Sequence, residues 1–167
     1  DWPPFDFAVG SQPFGLSIDV MTLLGARLGI EFEYVNGYRW NELVALFREH
    51  RVDLLQSAYK SPEREQFGRF TSPYYKDKTV FVVPSYSPGI SDITDLTGKI
   101  VAIPKGWAYE TYLADHYPDI QVLTVKNTED AFHAVMNQKA DAAIELSAVA
   151  RYLIKKNYLA GLKISGW

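Results

Sequence analysis

Few residues in this sequence are of a type and spacing that could hold a small charged molecule. Arg64 ends the run Ser61-Pro62-Glu63-Arg64, which combines a helix N-cap, a proline at the first helical position and an acid in the first turn. A guanidinium fixed in such a capped turn, just after a strand, can grip a carboxylate through two parallel hydrogen bonds; it could equally pair at the surface with Glu63 or Glu65. Gly106 follows the apolar run Val101 to Ile103 and opens a helix in this reading, leaving backbone N–H groups and a positive dipole end for an anion. The alternative is an ordinary strand-to-helix turn. Glu145 follows Ala142-Ala143-Ile144 and so should project from a strand's carboxyl end toward a crevice. There it could take an ammonium group, or cap the helix that begins near Leu146. Trp2, Phe5 and Tyr59 are aromatic walls if they face a cleft and core if they do not, the core being the stronger reading for Phe5.

Other chemistries lack their parts. The chain contains no cysteine, which removes thiol nucleophiles, zinc–thiolate sites and disulfide frameworks. Its three histidines, His50, His116 and His133, show no metal-binding spacing, and no metal is expected. Nucleophile-elbow, dinucleotide-fingerprint and phosphate-loop motifs do not occur, so neither a catalytic residue nor a cofactor is assigned. With 17 Lys and Arg against 20 Asp and Glu, the net charge of −3 gives no basic run to track a phosphate backbone, and nucleic acid is not an expected partner. The apolar stretches, such as Val80 to Pro84, are far shorter than the roughly 18 residues that span a bilayer.

The elements that must position these residues follow from periodicity. Gly15 to Leu28 reads as a helix with Leu16, Met21, Leu24 and Leu28 on its apolar side and Gly29 as its stop. Ile30 to Val35 reads as a strand, Trp40 to His50 as a helix through Trp40, Leu43, Val44 and Phe47, and Val52 to Leu55 as a buried strand, together a βαβ unit. Thr79 to Val83 is a β-branched strand, and Pro84 to Gly89, rich in serine and proline, is the expected linker. Beyond it, strands at Lys99 to Ile103, Gln121 to Val125 and Ala142 to Ile144 alternate with helices at Gly106 to Tyr117, Thr128 to Asn137 and Leu146 to Asn157. This predicts an α/β chain of two lobes, residues 1–84 and 85–167. An internal similarity supports it: Ile30 to Asp53 and Ile120 to Asp141 span 23 and 21 residues, each from a strand start to an apolar-Asp-apolar strand.

Several phrases in order resemble one known family. They are Trp2-Pro3-Pro4-Phe5, Gly15-Leu16-Ser17-Ile18-Asp19, Trp40, Val52-Asp53-Leu54-Leu55, Ser61-Pro62-Glu63-Arg64 leading to Phe70-Thr71-Ser72-Pro73-Tyr74, Asp95-Leu96-Thr97-Gly98-Lys99, and Ala140-Asp141-Ala142-Ala143-Ile144. Over nearly the whole chain the sequence resembles the type II periplasmic solute-binding proteins of family 3, which bind polar amino acids. It is also similar to the Venus-flytrap sensor domains built on them, such as those of BvgS-like histidine kinases.

The resemblance implies a two-lobed Venus-flytrap fold lacking the C-terminal part of lobe 1 and its first strand. It further implies that Arg64 binds the ligand's α-carboxylate, that Glu145 stands where an Asp usually binds the α-ammonium, that Trp2 and Tyr59 are cleft aromatics, and that Ser57 is a polar contact. Two positions depart from the pattern: Gly106-Trp107-Ala108 replaces a turn with hydroxyl donors, so that Trp107 enters ligand space, and Glu145 is one methylene longer than Asp. The implied function is an extracytoplasmic, periplasmic sensor domain of a bacterial transmembrane signalling protein, binding an amino acid or similar small carboxylate between the lobes. The alternatives are a free solute-binding protein of an amino acid ABC transporter and, further off, a dehydratase on the same fold with Glu145 as general acid. Membrane contact would come through segments outside this chain, and the full-length protein could form a homodimer.

Overall fold

A computed structural model describes residues 1–166. Trp167, the last residue of the expected second lobe, lies outside the described residues. The chain divides into two units, Asp1–Ser72 and Pro73–Trp167.

The first unit begins with a hairpin of β1 (Phe7–Val9) and β2 (Gln12–Phe14), closed by Gly10 and Ser11. Helix α1 (Leu16–Leu28) follows and ends at Gly29 in the left-handed conformation, as expected of a glycine stop. Its buried residues are Ser17, Ile18, Met21 and Gly25, whereas Leu24 and Leu28 are exposed. The expected apolar side is therefore rotated by about one residue, and it turns on Gly25, whose missing Cβ admits the Ile30 carbonyl. The N-terminal end of α1 has no side-chain cap. Instead the Leu16 and Ser17 N–H groups donate to the Pro4 and Phe5 carbonyls at 3.1 and 2.9 Å, tying the N-terminal loop to the helix. That approach needs Gly15, at φ 119°, where a Cβ would lie 2.3 Å from the Phe5 oxygen.

Helix α2 (Trp40–Arg48) and the short α3 (Pro62–Glu65) complete the first unit's helices, α3 capped by Ser61 as the sequence predicts. The two expected strands of this unit do not form. Neither Ile30 to Val35 nor Val52 to Leu55 pairs in a ladder among the described residues, and Val52 and Asp53 lie in a bend; a strand exists only where a neighbour's N–H and C=O groups face it. The βαβ unit, and with it the internal repeat, is not realised here.

The second unit is a five-stranded sheet of β3 (Thr79–Pro84), β4 (Ile100–Pro104), β5 (Gln121–Val125), β6 (Ala142–Leu146) and β7 (Leu162–Ser165), in the order β5-β4-β6-β3-β7. Strand β4 runs parallel to β5 and β6, while β3 is antiparallel to β6 and β7. Helices α4 (Ala108–His116), α5 (Thr128–Met136) and α6 (Ser147–Lys156) connect them. Alternate strand residues Phe81, Val83, Val101, Ile103, Ala142 and Ile144 form one core with Leu96, Leu113 and Ile120. Phe132, Val135, Val149 and Leu153 of α5 and α6 are buried on elements that pack against β3 and β6.

The division between units falls at Ser72, not at Pro84. Strand β3 is central to the second sheet, and the expected linker turns within that unit: Ser87 N–H donates to the Pro84 carbonyl at 3.0 Å and Ser85 N–H to Gly161 at 2.8 Å. A proline- and serine-rich turn marks a reversal of the chain as readily as a boundary, and here it marks the former.

Candidate functional site

In the first unit, three pieces of chain carry the expected site residues. The Trp2 and Phe5 rings lie 4.9 Å apart in the loop fastened to α1, with Trp2 half-buried and Phe5 buried at 4% exposure. Ser57 Oγ donates to Ser17 Oγ at 2.7 Å, and Ser17, whose N–H holds the Phe5 carbonyl, is itself buried. Tyr59 is exposed, and its backbone carbonyl accepts from Arg64 at 2.9 Å. The contacts thus join Trp2, Phe5 and Ser57 through Ser17, and Tyr59 with Arg64, with Phe5 buried as core.

Arg64 is the unusual member. Only 8% exposed, it is fixed at three points: its backbone N–H by Ser61 Oγ at 3.3 Å, one guanidinium nitrogen by the Tyr59 carbonyl, and the guanidinium carbon 5.0 Å above the Trp40 ring. Burial lowers its pKa from the ordinary value and the Glu63 charge opposes this; an arginine remains a cation throughout the physiological range. Of the two acids expected as its surface partners, Glu63 bonds Arg48 at 3.2 Å and Glu65 bonds Lys60 at 2.9 Å, while Arg64 itself is buried.

Sequence reasoning passed over Asp6, which lies between the Trp2–Phe5 pair and Ser57. Burial raises its carboxyl pKa above the ordinary 3.8, against the opposing effects of the nearby Ser57 side chain, the positive Asp1 amino group and the Trp2 backbone. An acid whose pKa is raised by folding stabilises the fold fully below its unfolded pKa and loses that contribution as pH rises through the folded value. Asp6→Asn is therefore expected to raise thermal stability at neutral pH relative to the wild type, with the difference vanishing near pH 4, as read by unfolding curves across that range. Trp40 and Ser17 stood inside recognised phrases, but nothing in their spacing revealed that one underlies a guanidinium and the other a hydroxyl pair.

The second unit places its residues differently. Helix α4 begins at Ala108 with Trp107 as N-cap, so Gly106 does not open it. Gly106, at φ 80°, donates its N–H to Glu110 Oε2 at 2.8 Å. A carboxylate one turn along the chain occupies the place expected for an external anion, which the α4 sequence signals by the acid in its first turn. Trp107 is half-buried and packs against the unit's core cluster. Glu145 does not project: it is 0% exposed, Oε2 accepts from Thr128 Oγ1 at 2.8 Å and Oε1 from the Leu146 N–H at 2.7 Å. The extra methylene lets the carboxyl fold back onto the head of α6, close to the capping alternative, while reaching the start of α5.

The chain is similar to several known proteins. Residues 1–158 match the sequence pattern of the bacterial extracellular solute-binding proteins, family 3. The virulence sensor protein BvgS of Bordetella pertussis is 29% identical over 159 residues, which cover 95% of this chain and 13% of BvgS. The crystal structure of the BvgS periplasmic VFT2 domain superposes with a TM-score of 0.85 at 29% identity, covering 98% of this chain and 70% of that one. The ABC transporter arginine-binding protein 1 of Escherichia coli is 23% identical over 163 residues, covering 96% of this chain and 66% of that protein. The chain thus spans about two thirds of the binding protein and a small part of the sensor. By residue pattern and fold alike, this chain belongs to the bacterial extracellular solute-binding proteins, family 3.

Proposed function

We propose that the chain is the extracytoplasmic small-molecule-binding part of a bacterial transmembrane signalling protein, and that it receives the carboxylate of an amino acid or similar small acid at Arg64. The carrying observation is the buried Arg64, its guanidinium held by the Tyr59 carbonyl over the Trp40 ring and its backbone by Ser61. A preorganised planar cation binds a carboxylate without first losing the freedom of a surface arginine. Trp2 and Tyr59 offer apolar faces for the rest of the ligand. Gly106 and Glu145 have no part in this reading, because their polar groups are engaged within the second unit.

The sensor half of the proposal is supported by the likeness to BvgS, in which the matched stretch is a domain-sized portion of a longer sensor. Titration calorimetry with the common amino acids, each beside the amine that lacks its carboxylate, tests the binding half. Heat is expected for at least one amino acid and none for its decarboxylated partner; equal binding of the two removes Arg64 from its role. Reading the native gene beyond Trp167 tests the other half. An apolar stretch of about 20 residues followed by a signalling module supports the sensor, and a stop codon soon after the binding fold favours a free transport protein like the Escherichia coli relative.

A further inference from the structure

The second unit carries a charged groove remote in its chemistry from any carboxylate receptor described above. Helix α6 and strand β7 border a shallow, open groove of about 440 Å3, lined by Arg151, Lys155 and Lys163 together with Ile154, Leu162 and Ile164. Positions 151, 154 and 155 share one helix face, so α6 presents two cations and an apolar residue side by side along the groove. Among the described residues, none of the three cations has a carboxylate within ion-pair distance, although the chain as a whole is acidic. Two of them are nonetheless held in place: Arg151 Nε donates to Ser147 Oγ at 3.2 Å and Lys163 Nζ to the Ser87 carbonyl at 2.6 Å. Their charge is positioned and not spent on a counter-ion.

The groove also borders a sheet edge. Among the described residues, strand β7 pairs with β3 on one side only and ends the strand order. An edge strand offers backbone N–H and C=O groups to a further strand, and natural proteins blunt such edges with lysine unless a partner is meant to add there. Lys163 on β7 blunts the edge toward basic and neutral chains but invites an acidic one.

We infer that the groove between α6 and β7 is a docking site for an extended acidic segment of a partner protein, which adds a strand to β7 and sets its carboxylates against Arg151, Lys155 and Lys163. A second copy of this chain is disfavoured, since two-fold pairing of β7 with β7 brings the same cations together. A bilayer surface is disfavoured because the apolar lining lies between a helix and a strand, a shape that fits a chain in extended form.

The test is fluorescence anisotropy of the protein with a labelled heptapeptide Glu-Val-Glu-Thr-Glu-Val-Glu. Its basic counterpart with Lys for Glu, an acidic version N-methylated at alternate residues, and vesicles containing phosphatidylserine serve as comparisons. The acidic peptide is expected to bind, to weaken by about tenfold or more in Arg151→Glu/Lys155→Glu protein, and to weaken as salt rises from about 0.05 to about 0.5 M. The milder Arg151→Gln/Lys155→Gln variant, with unchanged unfolding temperature, guards against a folding defect and is expected to weaken binding to an intermediate degree. Failure of the acidic peptide to bind, equal binding of the basic peptide, unchanged binding by the variants, or binding of vesicles alone overturns the proposal. Equal binding of the N-methylated peptide overturns its strand-addition geometry.

Discussion

Replacing Arg64 by alanine is expected to weaken the best-binding amino acid found by calorimetry by about 2 to 4 kcal/mol, roughly 30- to 1,000-fold. The upper part of that range belongs to a charge-assisted, bidentate contact made where water is largely excluded, and Arg64 is only 8% exposed. Lysine at the same position keeps the charge but not the plane that lies over Trp40 or the fork that spans the Tyr59 carbonyl and a ligand. Arg64→Lys is therefore expected to recover only part of the affinity, and full recovery would show that charge without planar geometry suffices. Because Arg64 also ties α3 to the Tyr59 segment, both variants need unfolding curves beside the binding data. Unchanged affinity in a folded Arg64→Ala protein would remove the residue from the site.

The difference between what could and could not be read from the sequence lies in whether a residue's role is set by its neighbours along the chain. Ser61, Pro62 and Arg64 act within one turn, and the structure keeps the cap. The second unit's three helices and four of its five strands appear close to where their periods place them, because each buries its own apolar side against a neighbour in the sheet, while the short run of β7 gives no such period. The first unit's two strands fail for the opposite reason: Ile30 to Val35 and Val52 to Leu55 have strand-like composition, but composition does not supply a partner. The hairpin at Gly10-Ser11 carried a short-range signal in its two turn residues between apolar runs. Asp6 carried none, since its environment is made by Ser57, about fifty residues away along the chain. The same holds for Glu145. Its position at a strand's carboxyl end was legible, but the direction of its side chain depends on Thr128 and on the added methylene.

That direction makes a prediction that separates structure from ligand contact. Glu145→Ala is expected to destabilise the protein by about 2 to 4 kcal/mol, because it leaves the Thr128 hydroxyl and the Leu146 N–H without their acceptor in a fully buried place and opens a cavity there. Glu145→Gln should cost less than about 1 kcal/mol. The amide oxygen can still accept from Leu146, and the Thr128 hydroxyl, being donor and acceptor both, can turn to accept from the amide nitrogen. Glu145→Asp, a methylene shorter, cannot reach both partners and is expected to fall between the two. If Glu145 held a ligand's ammonium group, the order of effects on binding would be different: the neutral Gln variant would lose affinity by tenfold or more while its unfolding curve stayed close to that of the wild type. Urea unfolding and calorimetry on the three variants read the two quantities independently. Intact affinity in Glu145→Gln, with stability lost in Glu145→Ala, identifies the residue as the tie between the heads of α5 and α6. Lost affinity with stability intact returns it to the ligand.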